Sequence, residues 1–244
     1  TYFYNINLTR EPLDDVRVRM ALNLAVDREL LAETVMLGIV DPAYAIVPPD
    51  TLGYDPVQLF DYNPERAREL LAEAGYPGGE GFPAFEILYN TQESHRKIAV
   101  AIQQMWMSEL NIPVTIVNQE WKVYLDSQNN MDYDVVRRGW IGDYIDPNNF
   151  LDLFLTGGGN NKTGFSDARY DEIITQLAPA TPDRDERYAL FEEAETILME
   201  AVPIIPLYTY KNKSLRHPNL KGMPTNIQDY FNYRYVWLEG EQAN

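Results

Sequence analysis

A chain of 244 residues with a formal net charge of −17 offers no basic face, which argues against nucleic acid or an anionic membrane surface as its main partner. Apolar residues make up 45% of it, enough for the core of one large domain or two small ones, and no run of about 18 apolar residues is present to span a membrane. Cysteine is absent and the only histidines are His95 and His217, so disulfides and thiolate chemistry are excluded and a multi-histidine metal site is not expected.

Residues 2–8 alternate and predict a strand. After Pro12, Asp14 or Asp15 caps a helix carrying Val16, Met20 and Leu24 at helical spacing. Asp27-Arg28 interrupts it in a capping role, and Leu30, Leu31 and Val35 continue to Gly38. Residues 41–60, with Pro42, Pro48, Pro49 and Pro56, predict a loop. Asn63-Pro64-Glu65 opens a short helix with a side-chain cap and proline at its first position. Ala67, Leu70, Leu71 and Ala74 form its buried face, and Gly75 ends it. A strand follows at 85–89, then a loop at 90–95 with Ser94 as candidate cap. The next helix bears the stripe Ile98, Ile102, Met105, Trp106 and Leu110, and Asn111-Ile112-Pro113 stops it. Residues 114–117 form a strand that leads through Glu120-Trp121 into a short helix with Tyr124 and Leu125. Strand, helix and strand at these lengths predict an α/β fold with a mostly parallel sheet flanked by helices.

Residues 132–147 are the centre of the chain. Tyr133, Val135 and Val136 are strand formers. Gly139 and Gly142 then bracket a loop that Asp146-Pro147 closes, because proline biases its predecessor away from helix. The loop carries Arg137, Trp140, Ile141, Asp143 and Tyr144 within a few residues. Ligands of such sheets lie at the carboxyl ends of strands. The loops 90–95, 118–121 and 139–146 therefore gather on one rim, with Asn90, His95, Glu120 and Trp121 as further candidates. Arg138 faces away from Arg137 by strand alternation and is expected to be a solvated charge. The three glycines of 156–161 mark a flexible loop and lack the lysine-and-hydroxyl signature of a phosphate cradle. Helices are predicted at 168–177 and 183–201, the second faced by Leu190, Ala194, Ile197 and Leu198, and a strand at 203–210. Residues 213–244 differ in being aromatic and polar, with Tyr230, Phe231, Tyr233, Tyr235 and Trp237. Asp143 with Asp146, or with Glu120, would be the paired carboxylates of a glycoside hydrolase. No nucleophile–base pair or metal cluster supports that reading, so neither an enzyme nor a cofactor is expected.

The run Gly139-Trp140-x-x-Asp143-Tyr144-x-Asp146-Pro147-x-x-Phe150-Leu151, together with the segment from Asn63 to Pro77, resembles the C-terminal lobe of oligopeptide- and dipeptide-type solute-binding proteins of bacterial ABC transporters, family 5. The resemblance implies a periplasmic-binding-protein-like lobe at 1–212 and a return segment at 213–244 that packs on an N-terminal lobe. It also implies an extracytoplasmic, peptide-binding function and an ABC permease as partner. A chain that opens into a strand without initiator methionine or signal peptide is then expected to be part of a longer protein. By resemblance, Asp143 meets the peptide ammonium, Arg137 the carboxylate, and His95 approaches the carboxylate of longer peptides. Trp121 and Trp140 match aromatic positions of the groove. Gln128 departs from the pattern, because oligopeptide binders carry a second arginine there, leaving one fixed cation fewer. Oligosaccharide, a nickel complex or an opine is the alternative ligand.

Overall fold

The structure, a computed structural model, describes residues 1–211, 213–224 and 230–240. β1 (Tyr2–Ile6) is followed by α1 (Val16–Leu24) and by α2 (Arg28–Leu30), which runs on as a π-helical turn over Leu31–Val35. Next come β2 (Val40–Pro42), α3 (Pro64–Glu73), β3 (Phe85–Asn90), α4 (Glu93–Leu110), β4 (Val114–Gln119), α5 (Trp121–Asn129) and β5 (Val135–Gly139). The second half holds α6 (Asn148–Leu151), α7 (Ala168–Glu172), α8 (Ala178–Ala180), α9 (Arg184–Ala201) and β6 (Ile204–Tyr210), then the short strands β7 (Leu220–Lys221) and β8 (Trp237–Leu238).

The caps follow the sequence closely. Asp15, Asp27, Asn63 and Asp183 each accept a first-turn backbone N–H, which satisfies donors that the helix cannot. Ser94 does not cap α4. The chain leaves β3 extended through Gln92, so Ser94 already lies inside the first turn.

The sheet runs β2-β6-β1-β5-β3-β4. β3 pairs in parallel with both β4 and β5, while β1 is antiparallel to β5 and β6, and β2 is antiparallel to β6. The expected mostly parallel sheet is therefore mixed. The βαβ reading holds for β3 to β5, where α4 and α5 are the crossovers. β1 precedes that unit and enters from the opposite end. A buried strand's apolar pattern carries no sign of its direction.

One face of the sheet packs Tyr2, Tyr4, Ile6 and Ile87 against Trp106, Ile98, Ile102 and Leu71. Trp106 is wholly buried and its indole N–H reaches the Leu22 carbonyl, so the largest core side chain also ties α4 to α1. On the other face Phe3 and Ile204 meet Phe150, Phe154, Phe191 and Leu198. A smaller cluster of Leu88, Tyr124, Tyr133 and Val136 lies under α5. The buried side of α9 holds Ala194 and Leu198 as expected, but also Glu195, which is wholly buried. β7 and β8 form a separate two-stranded ribbon in which Trp237 and Leu238 are exposed, as are Tyr230, Tyr233 and Tyr235 in the stretch before β8. No helix among the described residues is long and apolar enough to cross a membrane.

Candidate functional site

Strand directions build the rim. The parallel strands β3, β4 and β5 end together at Asn90, Gln119 and Gly139. β1 is antiparallel to β5, so its first residue comes to the same edge, where Tyr2 pairs with Gly139. β6 is antiparallel to β1 in turn, which delivers Tyr208 and Tyr210 there too. Sequence reasoning found the first three strand ends. It missed Tyr2, Tyr208 and Tyr210, because strands of unknown direction cannot be assigned an end. Their signal was the density of tyrosine at both chain segments.

Arg137 is the hub. It lies opposite Tyr4 on β1 and therefore on the Tyr2–Tyr4 face. Its guanidinium stands over the Tyr2 ring, 4.8 Å from the centroid. Nη2 donates to the Tyr210 hydroxyl at 3.2 Å and Nη1 approaches Asn90 Oδ1 at 3.5 Å. Nε is buried and makes no hydrogen bond. Among the described residues no carboxylate pairs with this side chain. The phenols do not stand in for one, since burial pushes the Tyr2, Tyr4 and Tyr208 hydroxyls far above their ordinary range and keeps them neutral. Gly139 leaves room for this arrangement: a Cβ there would come within 3.1 Å of the Tyr210 hydroxyl and 3.4 Å of Arg137 Nη2.

His95 belongs to the same cluster but is not a second cation. Its Nδ1 stands 3.3 Å from the Tyr2 hydroxyl. Burial, and next the Arg137 charge, lower its pKa to about 4, so it is neutral near pH 7. Gln128 is buried too, with its amide nitrogen 3.5 Å from the Tyr124 hydroxyl. That hydroxyl donates to the Arg137 carbonyl. Gln128 therefore lies behind the rim, in contact with the strand that carries Arg137 through Tyr124.

Trp121, just over half exposed, stacks on Tyr124 with centroids 5.7 Å apart and presents its outer face to solvent. Glu120 is exposed, and one carboxylate oxygen caps α5 through the Lys122 N–H. Trp140 is half-buried, and its indole N–H donates to Asn149 Oδ1 at 2.7 Å. Asn149 is buried and also accepts the Asp143 backbone N–H at 3.3 Å, so it sets the loop's shape. Sequence reasoning passed over it as one of the unspecified positions after Pro147. Asp143, Ile141 and Tyr144 are all exposed on this loop. Asp146 is not available as a catalytic partner of Asp143. It makes a bidentate pair with Arg187, at 2.7 and 2.9 Å, and caps the Asn148 N–H. Arg138 points to the opposite face, as expected, but it is half-buried rather than solvated, with its Nη2 donating to Asn160 Oδ1 at 3.3 Å.

The arrangement predicts a titration. An imidazole at position 95 titrates near pH 4 in the free protein, and a carboxylate bound at Arg137 raises that value by cancelling the cation's repulsion. Carbon-detected imidazole NMR over pH 3–8, with and without ligand, measures it; a free-state value above 6 would contradict the placement of His95. Because the folded pKa lies below the ordinary 6.5, stability from this group is full above pH 6.5 and is lost as pH falls toward 4.

The model described as "Bacterial extracellular solute-binding proteins, family 5 Middle" matches residues 1–162. The periplasmic murein peptide-binding protein MppA of Escherichia coli is 39% identical over 233 residues, which are 93% of this chain and 43% of the relative. A solved structure of that murein tripeptide-binding protein superposes with a TM-score of 0.87 over 98% of this chain and 48% of its own. The oligopeptide-binding protein OppA of Bacillus subtilis is 36% identical, over 96% of this chain and 45% of the relative. Haemophilus influenzae OppA, solved in complex with RPPGFSPFR, is 34% identical with a TM-score of 0.84, over 98% of this chain and 48% of its own. The chain thus spans about half the length of the relatives it matches.

Proposed function

Since this chain belongs to the bacterial extracellular solute-binding proteins of family 5, we propose that it is the C-terminal lobe of an extracytoplasmic receptor that binds peptides between two lobes and delivers them to an ABC permease. The family is one of solute-binding proteins, not enzymes. The observation that carries the peptide reading is Arg137: a cation held at a strand end by phenols and an amide, with one N–H buried and unpartnered, is a receptor for a carboxylate. Asp143, exposed on the adjoining loop, supplies the opposite charge for an ammonium. Two fixed charges of opposite sign on one rim match a zwitterion with hydrogen-bonding amides between its ends. The exposed face of Trp121 suits side chains or flat rings along the way. The segment bearing Tyr230, Tyr233, Tyr235 and Trp237 would dock on the N-terminal lobe, which is consistent with so much aromatic surface being exposed here.

Calorimetry on the full-length protein tests this, using short peptides with free and with acetylated N-termini. The free form binds tightly. Acetylation, or Asp143→Ala, weakens binding by roughly tenfold or more, as expected for a charge-assisted hydrogen bond worth about 1.5–3 kcal/mol. Absence of heat with either form would end the peptide assignment, and oligosaccharides would be titrated next.

A further inference from the structure

Asn149 holds two parts of the binding loop with a single atom. Its Oδ1 accepts the Trp140 indole N–H at 2.7 Å and the Asp143 backbone N–H at 3.3 Å. Both neighbours are donors, so the amide oxygen, with its two lone pairs, is the atom that faces them. Ile141 and Gly142 lie between the two contacts, and residues 140–143 are closed into a turn on that oxygen. The turn leaves little slack. A Cβ on Gly142 would come within 3.3 Å of Phe150 Cζ and of the Tyr144 carbonyl oxygen.

Asn149 can act as a post because it is itself fixed. It is 2% exposed and lies in the first turn of α6, where its backbone N–H donates to the Asp146 carbonyl at 3.1 Å. The Asp146 carboxylate is gripped in turn by both Nη atoms of Arg187 on α9. Arg187 stands over the ring of Phe191, 4.6 Å from its centroid, and Phe191 is wholly buried. A chain of contacts thus runs from the core under α9 to the backbone of Asp143.

The two groups that Asn149 holds are left with different roles. The Trp140 backbone N–H donates to the Thr1 carbonyl at 2.8 Å and its indole N–H to Asn149, so it keeps no donor for a ligand and offers ring surface alone. Asp143 has its backbone N–H committed while the residue remains exposed. A charge-assisted hydrogen bond weakens steeply with distance and angle, so the place of that backbone decides how well the carboxylate meets an ammonium.

We propose that Asn149 is a positioning residue for recognition of the ligand's N-terminus. It is too buried to meet the ligand and acts through Asp143, whose carboxylate it places beside an immobilised Trp140 ring. The inference rests on the reading of Asp143 as the ammonium anchor. It adds that discrimination between a charged and a capped N-terminus is set from behind the loop.

The test uses the full-length protein and the ratio of its calorimetric affinities for one short peptide with a free and with an acetylated N-terminus. A folding or packing defect lowers both affinities together and leaves the ratio alone. Asn149→Ala should cut the ratio from about tenfold or more to under about threefold, with the loss falling on the free peptide. In an Asp143→Ala background the same change should cost nothing further. Asn149→Asp keeps an acceptor oxygen in place and should keep the ratio. Its added charge by itself favours an ammonium, so hydrogen exchange of the Trp140 indole and Asp143 amide is followed by NMR without peptide. Both should be protected in the wild type and in Asn149→Asp, and both should exchange faster in Asn149→Ala. An unchanged ratio in Asn149→Ala, equal loss on both peptides or unchanged exchange overturns the proposal and leaves Asp143 as the anchor. A wild-type ratio near one, or no binding of either peptide, removes the Asp143 anchor and this inference with it.

Discussion

Glu195→Ala is expected to destabilise the protein by about 3–5 kcal/mol, because it strips three buried donors of their acceptor at once. Glu195 Oε1 accepts the backbone N–H groups of Ile46 and Val47 at 3.1 and 3.0 Å, and Oε2 accepts the Tyr54 hydroxyl at 2.9 Å. All four residues are buried. The carboxylate thus replaces the strand ladder that the proline-rich loop between β2 and α3 lacks. Val47, which it holds, lines a cavity of about 230 Å³ together with Tyr44, Pro49, Pro56 and Val57. Alanine leaves those donors unpaired and opens a void besides. Glu195→Gln keeps one acceptor oxygen and should cost only about 1 kcal/mol. Urea unfolding of both variants decides the matter: a loss under about 1 kcal/mol for alanine would mean that the loop is held by its apolar contacts.

The same group gives a pH signature. Burial pushes the Glu195 carboxyl up to about 7, against the pull of its donors. A folded pKa above the ordinary 4.5 means that its contribution to stability is greatest below pH 4.5 and is lost as pH rises toward 7. His95 acts with the opposite sign over nearly the same interval, losing stability as pH falls from 6.5 toward 4. Each swing is about 3 kcal/mol at most. The whole protein should therefore show a flat profile between pH 4.5 and 6.5 from these two groups, and Glu195→Gln should uncover the downward slope on the acid side.

Neither group's protonation state could have been read from the chain alone. Glu195 lies in a run of acidic residues on α9, where a solvated charge is the ordinary assignment, and only the loop brought over from residues 46–54 shows otherwise. The apolar spacing around it, Ala194 and Leu198, was legible. So were the caps, the helix stripes and the handover from β5 to its loop, since each is written in neighbouring residues. Strand direction was not, and with it went the tyrosines that frame Arg137. Asp146 looked available for chemistry because its partner Arg187 lies 41 residues away. His95 was legible as a rim residue but not as a neutral one, because its state depends on Tyr2 and Arg137 across the sheet.

Arg137→Gln should reduce affinity for a peptide with a free C-terminal carboxylate by roughly thirtyfold or more, the consequence of leaving a desolvated charge unpaired, about 2–5 kcal/mol. Stability should change little. The guanidinium's hydrogen bonds within the protein are two, of 3.2 and 3.5 Å, and its Nε has none, so apart from its contact with the Tyr2 ring the folded protein leans little on this side chain. His95 and Gln128 offer no substitute, one being neutral and the other buried behind Tyr124. Position 137 should therefore hold the C-terminal lobe's whole electrostatic hold on that carboxylate. The decisive comparison is a double cycle that pairs Arg137→Gln with amidation of the peptide's C-terminus. If arginine and carboxylate meet, either change alone removes most of the affinity and the second adds little. Independent, additive losses would place the carboxylate elsewhere, and Arg137 would then be a positioning group for Tyr2, Tyr210 and the end of β5.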